Sequence, residues 1–274
     1  MNWIIAVIVL IAVGYFLDRE VYFYEGARLG PRIQSWLYDR WSGKYDNGKR
    51  ESQLRDDEIL AQPLLERLGD VPEPFVLDFA TGTGRLSFAL LSRPDFKGRI
   101  IALDISQGML EKAASKLSPY LGRVELVRHR SMPLPFPDAA FDVVCCLEVL
   151  ELLPDTQTAL NEMSRLLRPG GILLTSRGTE ESGRKAKVKS EAEFMSILKV
   201  CGFENIQLIK WWKLFDRVFA SRTGTSSVVG SKFLTDVLKC SNCGHTAWSR
   251  SASGLRCTSC NEKVSIAEKG IVLD

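Results

Sequence analysis

From Phe75 onward the chain alternates between short apolar runs and segments whose apolar residues recur every three or four positions. The runs "FVLDFA", "RIIALDI" (99–105), "RVELVRH" (123–129), "FDVVCCLEV" (141–149) and "ILLTS" (172–176) have strand character. Between them, "QGMLEKAASKL", "TQTALNEMSRLLR" and "SEAEFMSILKVCG" have helical spacing, and the last opens with the capping pair Ser190 and Glu193. Alternating strand and helix predicts an α/β fold with a parallel sheet covered on both faces. "FENIQLIKWW" and "LFDRVFASR" then follow each other with no room for a helix, so this terminal pair is predicted to be antiparallel.

The two ends break that rhythm. "WIIAVIVLIAVGYFL", Trp3 to Leu17, is 15 residues without a charge, short against the roughly 20 that span a bilayer. No Lys or Arg precedes it, and seven follow by Arg50. It has neither the basic start nor the small-residue cleavage site of a signal peptide. The expectation is a single-pass membrane anchor over residues 1–20, with the N-terminus outside and the body of the protein cytoplasmic. Residues 21–70 read as a juxtamembrane helical segment, kinked or divided at Pro63. Residues 71–222 form the main domain, "TGTSSVVGSK" (223–232) is a linker by composition, and 233–274 is a separate small unit.

A net charge of +3 is slight, so no nucleic-acid partner is expected, and two histidines argue against a His-based catalytic apparatus. Of the seven cysteines, Cys145, Cys146 and Cys201 fall within apolar or helical patterns and read as buried thiols.

"VLDFATGTGRL" (76–86) runs from the first strand through a loop with two glycines into a helix. Glycines let a backbone approach a ligand, and the helix N-terminus offers free N–H groups, so dinucleotides, nucleotides and S-adenosylmethionine all fit. A dinucleotide fingerprint would want a glycine three residues after Gly84, where the chain has Ser87. Asp104 ends the next strand, 20 residues past Gly84, where a carboxylate can accept both hydroxyls of a ribose.

"VLDFATGTGRL", "ALDISQGML", "PLPFPDAAFDVVCCLEVLELLPD" and "EMSRLLRPGGILLTS" together resemble the successive motifs of class I S-adenosylmethionine-dependent methyltransferases. The resemblance covers residues 71 to 222 and is strongest to the branch of the quinone- and sterol-biosynthesis enzymes. It implies a Rossmann-like, seven-stranded methyltransferase sheet with a terminal antiparallel strand pair, the cofactor lying over the carboxyl ends of the first strands. By the same resemblance Asp78 lies beside the methionine end of the cofactor, and Ala80, Gly82 and Gly84 line the loop. Asp104 takes the ribose hydroxyls, with Ile105 and Met109 near the adenine. Before "LPF" the family commonly has Gly-Asp-Ala, whose Asp holds the adenine amino group; this chain has His129, Arg130 and Ser131. Arginine cannot accept that bond. Either Ser131 or a backbone carbonyl takes it, or the cofactor is held less tightly. Methyl transfer from a sulfonium needs mainly positioning, and a base only where the acceptor must lose a proton. Glu148, ending the fourth strand, is the candidate catalytic residue facing the acceptor; a solvated carboxylate or a partner for a nearby arginine is the other reading. The stretch 177–189 stands where the family covers its acceptor pocket.

"CSNC" (240–243) and "CTSC" (257–260) are two C-x-x-C knuckles 13 residues apart. Cys240, Cys243, Cys257 and Cys260 supply four thiolates, as structural Zn2+ requires. Two disulfide or redox pairs are the other reading, less expected in a cytoplasmic domain. The tail also resembles the small zinc-ribbon family that activates methyltransferases by docking on them, here fused to its client. The function expected is a membrane-anchored methyltransferase acting on a hydrophobic acceptor: a quinone, isoprenoid, pigment precursor or lipid. The alternatives are a methyltransferase acting on a membrane protein and a non-catalytic subunit with a protein partner in a membrane complex.

Overall fold

The computed structural model describes residues 2–182 and 188–273. Seven strands form the body of the sheet: β1 (Phe75–Phe79), β2 (Arg99–Asp104), β3 (Val124–Arg128), β4 (Phe141–Cys146), β5 (Leu167–Gly178), β6 (Phe203–Trp212) and β7 (Phe215–Arg222). β1 and β4 are buried at every position, as expected of central parallel strands covered on both faces. β4, β1, β2 and β3 pair in parallel, and β5 is parallel to β4. β7 inserts antiparallel between β5 and β6, so the sheet is mixed.

Helices α3 (Gln62–Leu68), α4 (Arg85–Leu91), α5 (Gln107–Lys116), α6 (Thr156–Leu166) and α7 (Glu191–Val200) accompany the strands. Short polar side chains start them: Ser106 Oγ accepts Met109 N at 3.1 Å, and Asp155 Oδ2 accepts Thr158 N at 2.7 Å. The Ser190 cap holds too, accepting Glu193 N at 3.3 Å. Two apolar cores result, one on each face of the sheet.

The C-terminal residues continue the same sheet. β8 (Trp248–Arg250), β9 (Gly254–Cys257) and β10 (Lys263–Ile266) form an antiparallel meander, and β11 (Val272–Leu273) pairs antiparallel with β10. β11 also lies parallel to β3, with Val272 opposite Val127 and Leu273 opposite Arg128. The described residues thus form one eleven-stranded sheet, in the order β6-β7-β5-β4-β1-β2-β3-β11-β10-β9-β8. Residues 223–232 are small and polar but tethered. Val229 and Gly230 donate their amides to the buried Asp142 at 2.9 and 3.1 Å, beside Phe75 N and Arg168 Nε.

The N-terminal expectation needs correction. The apolar helix α1 (Asn2–Phe16) has 15 residues, about 22 Å at 1.5 Å per residue against a hydrocarbon core of about 30 Å. No helix among the described residues is long and apolar enough to cross a membrane. That overturns the transmembrane anchor over residues 1–20 and the single-pass membrane localisation. The segment after it is not peripheral either. Helix α2 (Pro31–Gln53) crosses α5 where Gly108 stands, so closely that a Cβ on Gly108 would lie 3.0 Å from Asp39 Cα.

Candidate active site

At the carboxyl edge of β1 the chain turns through three left-handed residues, Ala80 (φ 57°), Gly82 (φ 55°) and Gly84 (φ 77°). The turn presents amides to the end of β2: Gly82 N donates to Asp104 Oδ2 at 2.8 Å, and Ser106 N donates to Oδ1 at 2.9 Å. Each Asp104 oxygen keeps a second lone pair. Burial pushes the Asp104 carboxyl up to about 6, while the Ser106 and Gly82 amides pull it the other way. Asp78 Oδ2 accepts the hydroxyls of Thr81 and Ser87 at 2.7 and 2.6 Å, and burial raises this carboxyl as well. Ser87, which breaks the dinucleotide fingerprint, thus anchors the acid at the end of β1.

These loops open on a cavity of about 590 Å³, within the usual range of roughly 300–1,000 Å³ for small-molecule sites. Asp78, Ala80, Gly82, Asp104, Ile105, Met109, Ser131 and Glu148 all line it. Gly84 does not; its hydrogen faces α5, where a Cβ would meet Leu117 Cδ1 at 3.0 Å and Ala113 Cβ at 3.2 Å. Ser131 Oγ is engaged with His129 Nε2 at 3.2 Å, and Arg130 Nη2 reaches Ser35 Oγ at 3.4 Å. Leu147, Val149, Leu152, Leu153, Pro154 and Met132 add apolar lining to the cavity. Of the stretch 177–189, residues 183–187 lie outside the described residues.

Glu148 has a left-handed backbone (φ 59°), and its amide donates to Ser176 Oγ at 2.6 Å. Each carboxylate oxygen already has a cation: Arg85 Nη1 at 2.7 Å on Oε1 and Lys49 Nζ at 2.5 Å on Oε2. Arg85 is in turn held by Asp56 through Nε and Nη2, at 2.5 and 2.6 Å.

Lys49 belongs to α2, which sequence reasoning left without a role. Gln34, Tyr38, Tyr45, Lys49 and Gln53 of that helix line the cavity. Their steps of four and seven residues mark one helical face, the signal that could have found them. α2 bonds to each cavity loop in turn. Ser35 Oγ donates to Ile105 O (2.8 Å), and Asp39 Oδ1 accepts Ser106 Oγ (2.6 Å) and Gly108 N (2.8 Å). Asp46 Oδ1 accepts Thr83 Oγ1 (2.5 Å), and Ser52 O accepts Arg85 Nη2 (2.6 Å). Burial pushes the phenols of Tyr38 and Tyr45 well up, so both stay neutral at physiological pH.

At the far edge of the sheet, the sulfurs of Cys240, Cys243, Cys257 and Cys260 lie within 4.8 Å of one another. Cys240 and Cys260 are 3.5 Å apart, and Cys243 and Cys257 3.6 Å. The sulfurs of a tetrahedral site with bonds of about 2.3 Å stand about 3.8 Å apart, so the set fits a tetrahedral ion.

A methyltransferase-domain family model matches residues 76–171. The demethylmenaquinone methyltransferase of Lactococcus lactis is 33% identical over 172 residues, 62% of this chain and 68% of that protein. The ubiquinone/menaquinone biosynthesis C-methyltransferase UbiE of Geobacter sulfurreducens is 28% identical over 187 residues, 68% of this chain and 73% of that one. A solved methyltransferase from Aquifex aeolicus shares the fold, with a TM-score of 0.53 and 24% identity, covering 67% of this chain and 97% of its own. The chain therefore belongs to the class I S-adenosylmethionine-dependent methyltransferases related to the quinone-biosynthesis enzymes.

Proposed function

We propose that the enzyme methylates a hydrophobic acceptor of the quinol type. The observation that carries this reading is a cavity lined both by polar groups, Asp104 and the Gly82 loop, and by apolar side chains, Leu152, Leu153 and Met132 among them. The names of the two relatives above point to the same substrate class. Bound S-adenosylmethionine supplies an electrophilic methyl group on a sulfonium. The chain holds and orients: Asp104 accepts the ribose hydroxyls, Asp78 flanks the methionine end, and Ile105 and Met109 pack on the adenine. Arg130 is turned to Ser35 and donates only, so the adenine amino group goes to Ser131 or to a backbone carbonyl. Glu148, with a cation on each oxygen, orients rather than removes protons. A quinol ring, electron-rich at carbon, needs positioning in line with the methyl group more than it needs a strong base. Apolar walls exclude water from that encounter.

The four C-terminal thiolates hold one structural Zn2+, with no coordination position left for substrate. The metal keeps the small β8–β11 unit folded, and that unit braces β3 through β11.

Incubation of the purified protein with methyl-labelled cofactor and a reduced, unmethylated naphthoquinol carrying a prenyl tail tests the reading. Label and a mass gain of one methyl on the quinol ring are expected. Turnover of a water-soluble phenol or of a protein acceptor, with none of the quinol, would replace it.

A further inference from the structure

Where α3 meets the β6–β7 pair, two arginines share one phenyl ring. The guanidinium of Arg67, on α3, lies 3.9 Å from the centre of the Phe219 ring, and that of Arg217, on β7, lies 5.3 Å from it. Arg217 and Phe219 are two positions apart on β7, so they project from the same face of the sheet. Their neighbours across the pair on β6 are Ile209 and Gln207. None of these side chains lines the cavity.

Neither arginine bonds an acid among the described residues. Arg67 donates to Pro63 O at 2.9 Å and to Gln207 Oε1 at 2.6 Å. Arg217 donates through Nη1 to Ile59 O, and its Nε is buried without a partner. A guanidinium has five N–H donors, so most donors of this pair are unused. Burial, and then the charge of Arg67, push the Arg217 guanidinium below its ordinary value. The ring attracts each cation and neutralises neither, and the two cations repel each other. Arg123 also bonds no acid, but it directs Nε and Nη2 to the carbonyls of Gly98 and Phe96.

We propose that Arg67 and Arg217 form a phosphate-binding site on the α3–β7 surface, separate from the methyl-transfer cavity. A phosphate group carries about −1.5 to −2 charges at pH 7, which matches two unpaired cations. A carboxylate would leave one of them uncompensated. The tetrahedral group also offers enough oxygens to accept from both guanidinium forks at once. Gln207 and the Phe219 ring hold the Arg67 fork in place for it. The phosphate belongs either to a soluble molecule or to a lipid headgroup, and both present the same chemistry to the two arginines.

Titration calorimetry of the full chain with inorganic phosphate, at constant ionic strength set by chloride, tests the site. Arg67→Gln should weaken phosphate roughly tenfold or more, the worth of one charge-assisted hydrogen bond, and Arg67→Gln combined with Arg217→Gln should abolish binding. Arg55→Gln, which removes an exposed arginine paired with Glu58, should leave the affinity unchanged. No phosphate binding by the parent overturns the proposal, as does a loss in Arg55→Gln equal to that in Arg67→Gln. Arg67 is exposed, so its variant decides the matter even where Arg217→Gln fails to fold. Sedimentation with phosphatidylcholine vesicles, with and without phosphatidate, then identifies the source. A phosphatidate-dependent gain that Arg67→Gln removes assigns the lipid headgroup, and phosphate binding without such a gain assigns a soluble phosphate. The cofactor takes no part in these measurements, so their outcome stands apart from the methyl-transfer reading.

Discussion

Glu125 Oε2 accepts the backbone N–H of Leu234 at 2.7 Å, so a buried carboxylate on β3 holds the start of the C-terminal unit to the sheet. Arg250 of β8 pairs with the other oxygen, and Arg99 stands 3.8 Å away. Arg99 lies in turn over the Phe233 ring, 4.0 Å from its centre. One side chain thus ties three segments together. Glu125→Ala should strand the Leu234 amide and take from Arg250 its carboxylate partner, while Arg99 keeps its bond to Gly122 O. A loss of about 2–4 kcal/mol is expected, discounted for the partial exposure of Arg250. Denaturant unfolding measures it; a variant as stable as the parent would mean that the apolar contacts alone hold this joint.

The metal prediction follows from the same joint. A unit of this size has little core of its own and folds with its ion. Cys243→Ser is expected to lose one equivalent of zinc. Because β11 is a neighbour of β3 in the sheet, the large domain should melt at a lower temperature as well. Loss of zinc with an unchanged melting temperature would make the C-terminal unit an independent module.

Cofactor affinity should depend on pH through Asp104, whose buried carboxyl is pushed up to about 6. Ribose hydroxyls donate to the ionised form, so binding lowers this value. Below about pH 6 binding must expel a proton, and affinity falls toward tenfold per pH unit; above it no proton is displaced and affinity is flat. Titration calorimetry from about pH 5 to about pH 8 reads the curve. Asp104→Asn should bind more weakly and lose the acid-side slope. An affinity equally strong at both ends of that range would argue that Asp104 does not meet the ribose.

Gly108→Ala tests the packing of α2 on α5. The added Cβ would lie 3.0 Å from both Asp39 Cα and Asp39 O, and 2.9 Å from Ser42 Oγ. Backbone cannot give way as a side chain can, so α2 should lift off α5 at a cost of about 1–3 kcal/mol. Limited proteolysis should then cut within residues 31–53 sooner than in the parent, and cofactor should restore protection. Equal cutting rates would show that α2 tolerates the displacement.

What the sequence by itself determined is local and periodic. The order of strands and helices, the antiparallel end of the sheet, the left-handed glycine loop, Asp104 at a strand end and the two C-x-x-C pairs all rest on neighbours within a few residues. Most of the residues named from the sequence line the cavity for the same reason, since β1, β2 and β4 each bring one to the carboxyl end. The tertiary structure decided the rest. The role of α2 depends on side chains such as Lys49, 99 residues from Glu148, and the amphipathic face that reaches the cavity looks like any helix packed on a domain. Composition marked 223–232 as a linker, yet Asp142, 87 residues from Val229, turns it into a tether. Burial cannot be read from a charged residue's letter, so Glu125 gave no sign that it would join two units. At the N-terminus, an uncharged apolar run followed by basic residues suggested a bilayer span. Helix length settled the matter, because a hydrocarbon core has a thickness and 15 residues do not cover it.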